Sequence, residues 1–323
     1  MMVVMRWLEH LRYDPIAPLR AARHPAVEYW TRCLMGEDAG TPDGALWGLP
    51  TPLRILRHQL PDGSWKYPGP RPRPQTDYNL LETYRELGFL VEMFGLTREH
   101  PALAAAAEHV LSHQSAEGDL RGIYGSQYSP NYTAGFLEHL VKAGFADDPR
   151  IERAFGWLDV SRQDDGGWAL PLRTRGRKLD AIADAVTIRP DTTRPSSHLI
   201  TGVVLRAYAA SPRWRGSPSA REAAAVLEGR LFEPDAYPDK GRVGDWTEFC
   251  FPFWMTDLLS ALDSISLIDP GASHPKVLLA RDWLVRHQDP TGLFAVHMLR
   301  DRFHDLHLWV SLAVCRVFAR MET

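Results

Sequence analysis

Apolar residues recur along most of the chain at the three-and-four spacing of amphipathic helices, and no stretch keeps the strict alternation of a half-buried strand. The helical stretches fall into two alternating sets. One set is rich in Ala and Leu. Its members open on a capping or small polar residue followed by proline: His24-Pro25, Thr51-Pro52, His100-Pro101, Asp148-Pro149, Ser217-Pro218 and His274-Pro275. Proline at the first helical position needs no backbone N–H there, so each pair predicts a helix start. The second set has bulkier apolar faces, over about residues 78–95, 131–144, 196–210, 248–264 and 303–321. The alternation predicts a chain of helical hairpins.

Several hairpins share one ending. Arg57-His-Gln-Leu-Pro-Asp-Gly-Ser-Trp65, Ser112-His-Gln-Ser-Ala-Glu-Gly118, Ser161-Arg-Gln-Asp-Asp-Gly-Gly-Trp168 and Arg286-His-Gln-Asp-Pro-Thr-Gly-Leu-Phe294 each run from Gln through a short polar or Gly-containing turn, and three continue to an aromatic plug. The copy after Ser217-Pro218 has no such Gln. Hairpin repeats either spiral openly or close into a ring, and the repeat alone leaves both possible.

The Gln-to-aromatic turn resembles the QW motif of the terpenoid cyclase and protein prenyltransferase superfamily. The resemblance covers about residues 45–320 and is strongest at Trp65 and Trp168. It implies an all-α fold, an α/α toroid of about six inner helices inside six outer ones. Gln side chains would cap helix ends and the aromatic would stack on a neighbouring hairpin. One domain over 1–323 is expected, with N-terminal helices in 1–44 and the repeat core in 45–320. The long loops 67–74 and 172–195 precede second-set helices and are expected to fold over one rim. The alternative is an open solenoid.

Composition narrows the functional classes. The 323 residues are 45% hydrophobic, and the net charge of −3 offers no basic field for nucleic acid. Cys33, Cys250 and Cys315 are too few and odd in number for a disulfide framework. Lysine occurs only at 66, 142, 178, 240 and 276, while Arg, Ala and Pro are plentiful, a bias expected of a GC-rich bacterial genome. No long apolar run marks a signal peptide or an integral membrane segment. A soluble cytoplasmic protein is expected.

The second-set openings collect titratable residues, whereas the helix bodies read as apolar, the gradient of an apolar pocket with a polar lip. One opening, Gly244-Asp-Trp-Thr-Glu-Phe-Cys-Phe-Pro-Phe-Trp-Met-Thr-Asp257, surrounds a thiol with aromatics and reads as the start of a helix. It looks like the zinc-ligand region of protein farnesyltransferase and geranylgeranyltransferase β subunits. There an Asp-x-Cys precedes an aromatic-Trp helix, and a His at the last inner helix completes the set. Cys250 and His304 match; Glu248 stands where the family has Asp. Arg242 matches an Arg eight residues before the Cys that holds a diphosphate, and Asp245 replaces a family Lys. Glu, Cys and His suit a catalytic zinc with one open position, which would activate a thiol or water. His307, one helical turn on from His304, is an alternative ligand. Arg194 and His198, with Arg242 and Lys240, are candidate groups for an anionic head. Tyr78, Tyr132, Trp254 and Trp309 are candidate walls for an isoprenoid.

The resemblance thus implies a zinc-dependent transferase or lyase acting on a prenyl-type or other apolar small molecule with an anionic head. No segment like the α subunit of the prenyltransferases accompanies it, which favours a small-molecule over a protein substrate and leaves any partner subunit unknown. The cyclase branch carries Asp-x-Asp-Asp; in Asp191-Thr-Thr-Arg194 only the first acid is present. A metal-free cyclase-like enzyme using another acid, and a non-catalytic toroid that binds a lipid or protein, are the alternatives.

Overall fold

A computed structural model describes residues 5–299 and 305–321. Its helices are α1 (Ile16–Ala21), α2 (Pro25–Leu34), α3 (Pro42–Ala45), α4 (Pro50–Leu56), α5 (Tyr78–Glu92), α6 (Pro101–Ser112), α7 (Pro130–Lys142), α8 (Pro149–Val160), α9 (Pro171–Thr174), α10 (His198–Ala210), α11 (Pro218–Arg230), α12 (Leu258–Ile268), α13 (Pro275–Arg286) and α14 (Leu306–Met321). Five of the six expected helix starts recur as real caps; the sixth, Thr51-Pro52, falls inside α4, which begins at Pro50 with no side-chain cap. The Asp148 side chain accepts from Arg150 N, Ser217 from Ala220 N and His274 from Lys276 N, each with proline behind it.

The hairpins close into an α/α toroid. Helix α5 packs on α7, α7 on α10, α10 on α12, α12 on α14, and α14 on α2. The Trp30 indole of α2 then donates to Met93 O at the end of α5 (2.9 Å), which completes the inner ring. Helices α4, α6, α8, α11, α13 and α1 pack outside it. The N-terminal helices therefore belong to the ring: α2 is an inner member and α1 its outer partner.

The repeated turn explains the closure. Gln59 Nε2 donates to Gly63 O in its own turn and to Ala102 O of the next outer helix. Gln114 does the same with Gly118 O and Arg150 O. Gln288 bonds its own Gly292 O and, across the whole chain, Tyr13 O, while its Oε1 accepts from Arg12 N and Tyr13 N. Each of these Gln residues thus ties one repeat to its successor, and the last is tied to the first. The plugs are fixed from inside. The backbone N–H groups of Trp65, Leu120, Trp168 and Phe294 donate to Thr83, Thr133, Thr201 and Ser311, hydroxyls on α5, α7, α10 and α14. These residues sit one on each of four of the six inner helices, an internal repeat that the sequence carries without an obvious pattern.

One stretch differs from expectation. Residues 248–257 do not open a helix. Glu248–Phe249 forms a two-residue strand β1, parallel to β2 (His297–Met298), and α12 begins only at Leu258. The reason is local: Pro252 has no N–H and biases Phe251 away from helical backbone. Asp257 then supplies the true cap, accepting from Ser260 N at 2.8 Å.

Candidate active site

At the end of the ring where the inner helices begin, an internal cavity of about 860 Å³ opens. Its walls include Tyr84, Phe89, Tyr124, Tyr132, Phe251 and Trp254, with Leu81, Leu199, Ile200, Val203 and Leu306 among them. Pro68 and Leu179 bring both long loops to it. Polar groups at its margin are Glu82, Arg85, Asn131, Asp239, Lys240 and Cys250.

Trp254 is the pivotal wall. It stands edge-on to Tyr84 and Phe89, at centroid separations of 5.4 and 5.5 Å. Its ring lies so close to Gly88 of α5 that a Cβ there would come within 2.4 Å of it. The segment that carries it is held by Arg206 of α10, whose guanidinium donates to Phe253 O (2.8 Å) and Met255 O (3.3 Å). Arg206 is itself paired with Glu138 of α7 at 2.9 Å, and Lys142 bridges Glu138 and Glu92. The helix bodies are therefore not apolar throughout, as the sequence had suggested. Buried charges fill the ring near Trp254 because each finds a partner on a neighbouring helix. His139 lies among them, packed on Tyr84, and neither ring nitrogen has a hydrogen-bond partner among the described residues. Burial pushes its pKa down to about 3, so it is neutral.

The sequence candidates are distributed unevenly around this site. Tyr132, Trp254 and Cys250 line the cavity. Trp309 is one layer behind, stacked on the cavity residue Phe251. Tyr78 is a prop: its hydroxyl accepts from Arg73 N and its ring lies on Tyr67, so it steadies the loop at 67–74. Arg194, His198 and Arg242 are not in the cavity wall. Arg194 is exposed, and Arg242 is largely exposed and bonded to Asp245. His198 is buried against Trp246 beside Asp235, which caps α10 by accepting from Ser197 Oγ and Leu199 N.

The zinc expectation finds this donor set. Glu248 is bonded to Lys240 (2.7 Å), with Arg242 at 3.8 Å. The Cys250 sulfur accepts from Trp254 N (3.4 Å), and burial together with the Asp257 carboxylate pushes the thiol up to about 11. His307 is exposed, and His304 lies outside the described residues. Among the described residues no three His, Cys, Asp or Glu side chains are grouped as metal ligands.

Residues that the sequence reading passed over include Tyr84, Arg85, Tyr124 and Asn131 in the wall, and Glu138 and Arg206 behind it. Charged residues inside otherwise apolar inner helices were the available signal for the last two.

The chain matches no protein-family profile and no curated protein. Several solved structures are similar in outline. A protein from Actinoplanes shares 16% identity at a TM-score of 0.45, over 95% of this chain and 88% of its own. The type II terpene cyclase MstE from Scytonema, as a point variant in complex with its substrate geranylgeranyl dihydroxybenzoate, shares 14% identity at a TM-score of 0.41, over 99% of both chains. Its apo form gives 14% and 0.34, over 83% of this chain and 95% of its own. No helix among the described residues is long and apolar enough to cross a membrane.

Proposed function

We propose that the cavity binds a prenyl-type or comparably apolar small molecule, and that the protein acts on it as a terpenoid-cyclase-like enzyme with no zinc at Cys250. The observation that carries this reading is the aromatic cavity inside the ring. Its volume lies within the range of about 300–1,000 Å³ typical of small-molecule sites, and six aromatic side chains wall it. Such walls hold an isoprenoid in a defined fold, and their ring faces stabilise carbocations as they develop.

Two measurements test the reading. Farnesol- to geranylgeraniol-sized polyenes, titrated while following tryptophan emission, should bind, and Trp254→Ala should weaken binding about ten-fold or more. Prolonged incubation followed by mass spectrometry of the extract should yield a cyclised or rearranged product, unaffected by chelator. Binding with no product under any condition would reduce the protein to a binding toroid. About one zinc per purified chain, lost in Cys250→Ala along with activity, would overturn the metal-free reading.

A further inference from the structure

The cavity margin says what kind of polar end the apolar molecule carries; this rests on the reading just given. Among the described residues, each cation at the margin already has a carboxylate. Lys240 Nζ lies 2.7 Å from Glu248, and Arg85 Nη1 lies 3.2 Å from Glu82. Arg173, just outside, holds Asp239 through two nitrogens at 2.6 and 2.5 Å. Among the described residues of the wall, Glu82 and Asp239 stand against Arg85 and Lys240, so their formal charges balance. A diphosphate placed here would have to strip these cations from their partners and would lie against the carboxylates so released, a costly exchange in a half-enclosed site. The remaining basic candidates, Arg194 and Arg242, are off the cavity, as described above.

One group in the wall does lack a partner. The side-chain oxygen of Asn131, in the first turn of α7, is buried and accepts no hydrogen bond among the described residues. Its amide lies beside the Tyr124 phenol, whose pKa burial raises and the amide lowers. Tyr124 in turn stands edge-on to Tyr132, 5.2 Å between centroids. An unfilled buried acceptor beside two phenols is completed by a ligand that donates a hydrogen bond and brings no charge. We infer that the substrate is an isoprenoid ending in a neutral hydroxyl, an alcohol or a phenol, and that Asn131 Oδ1 receives that hydroxyl.

The test is a matched series on one carbon skeleton: geranylgeraniol, geranylgeranyl diphosphate and the corresponding hydrocarbon, titrated into the wild-type protein and two variants. The alcohol should bind at least ten-fold more tightly than the diphosphate. Asn131→Leu should weaken the alcohol about ten-fold and leave the hydrocarbon unchanged, while Asn131→Asp, which keeps the acceptor, should retain alcohol binding. Preference for the diphosphate, rising at low salt, would overturn the inference while leaving the apolar-cavity reading intact. So would equal loss of alcohol and hydrocarbon in Asn131→Leu. Failure of all three ligands to bind the wild type would remove the proposed function itself, and this inference with it.

Discussion

Arg206→Ala is expected to destabilise the protein by about 3–5 kcal/mol in equilibrium denaturation. Arg206 and Glu138 are each 2% exposed, and their contact at 2.9 Å is the shortest route by which α10 neutralises α7. Truncation leaves Glu138 buried with Lys142 alone, and strips Phe253 O and Met255 O of their donor. The floor under Trp254 should loosen, so the variant should also lose affinity for polyenes beyond its loss of stability. Arg206→Met combined with Glu138→Leu removes both charges and should recover much of the stability. A double variant as unstable as the single one would show that the carbonyl contacts, and not the charge, are what matter.

The same cluster sets an acid limit. Burial pushes Glu138 up, but Lys142 and Arg206 outweigh it and hold the carboxyl at about 2. A depressed carboxyl contributes stability that is present above its unfolded value of about 4.3 and is lost as pH falls toward 2. His139, held at about 3 by burial, is neutral when folded and takes up a proton when unfolded below about 6.5. It therefore erodes stability over the window from about 6.5 down to 3. Asp257 runs the other way: burial raises it to about 6, and its contribution is lost as pH rises through that value. Between about pH 6 and 4 Asp257 and His139 offset each other, so the steep fall in stability is expected below about pH 4, where His139 and Glu138 act together, and His139→Phe should raise stability there.

The ring was legible in the sequence because its determinants are local. A proline behind a cap, and a Gln followed by a turn and an aromatic, can be read within about ten residues, and the structure uses them as caps and as ties between repeats. The site was only half legible. Tyr132, Trp254 and Cys250 reach the cavity because they lie at the openings of two inner helices, α7 and α12. Arg206 and Glu138 are 68 residues apart, and nothing local pairs them. Glu248 entered as a candidate metal ligand through the resemblance to the zinc region, and its ion pair with Lys240 was not legible there. Pro252 carried the information that Cys250 precedes the helix, and it was outweighed by the apolar run around it.

The seam between the two ends of the chain should be among the points of the ring most sensitive to a single added carbon. Gly292 has φ of +95°, and a Cβ there would lie 2.2 Å from Asp14 O, a backbone atom with no freedom to move aside. Gly292→Ala combines a left-handed penalty of about 1–2 kcal/mol with that clash, so a total loss of about 3 kcal/mol or more is expected. Gly156→Ala and Gly229→Ala are the controls. Both lie in outer helices with nothing within 4 Å of the new carbon, and both should be neutral or gain up to about 1 kcal/mol. Gln288→Ala attacks the same seam chemically, since it removes four hydrogen bonds at once, three of them to Arg12 and Tyr13. The loss should not spread evenly. Gln59 ties residues 43 apart, and its removal leaves the neighbouring hairpins connected by a short stretch of chain. Gln288 ties residues 275 apart, so without it the hairpins at the seam are free to separate. Amide exchange should therefore accelerate in α1, α2, α13 and α14 of Gln288→Ala while α7 and α10 stay protected. Uniform acceleration around the ring would show instead that the toroid opens as one cooperative unit.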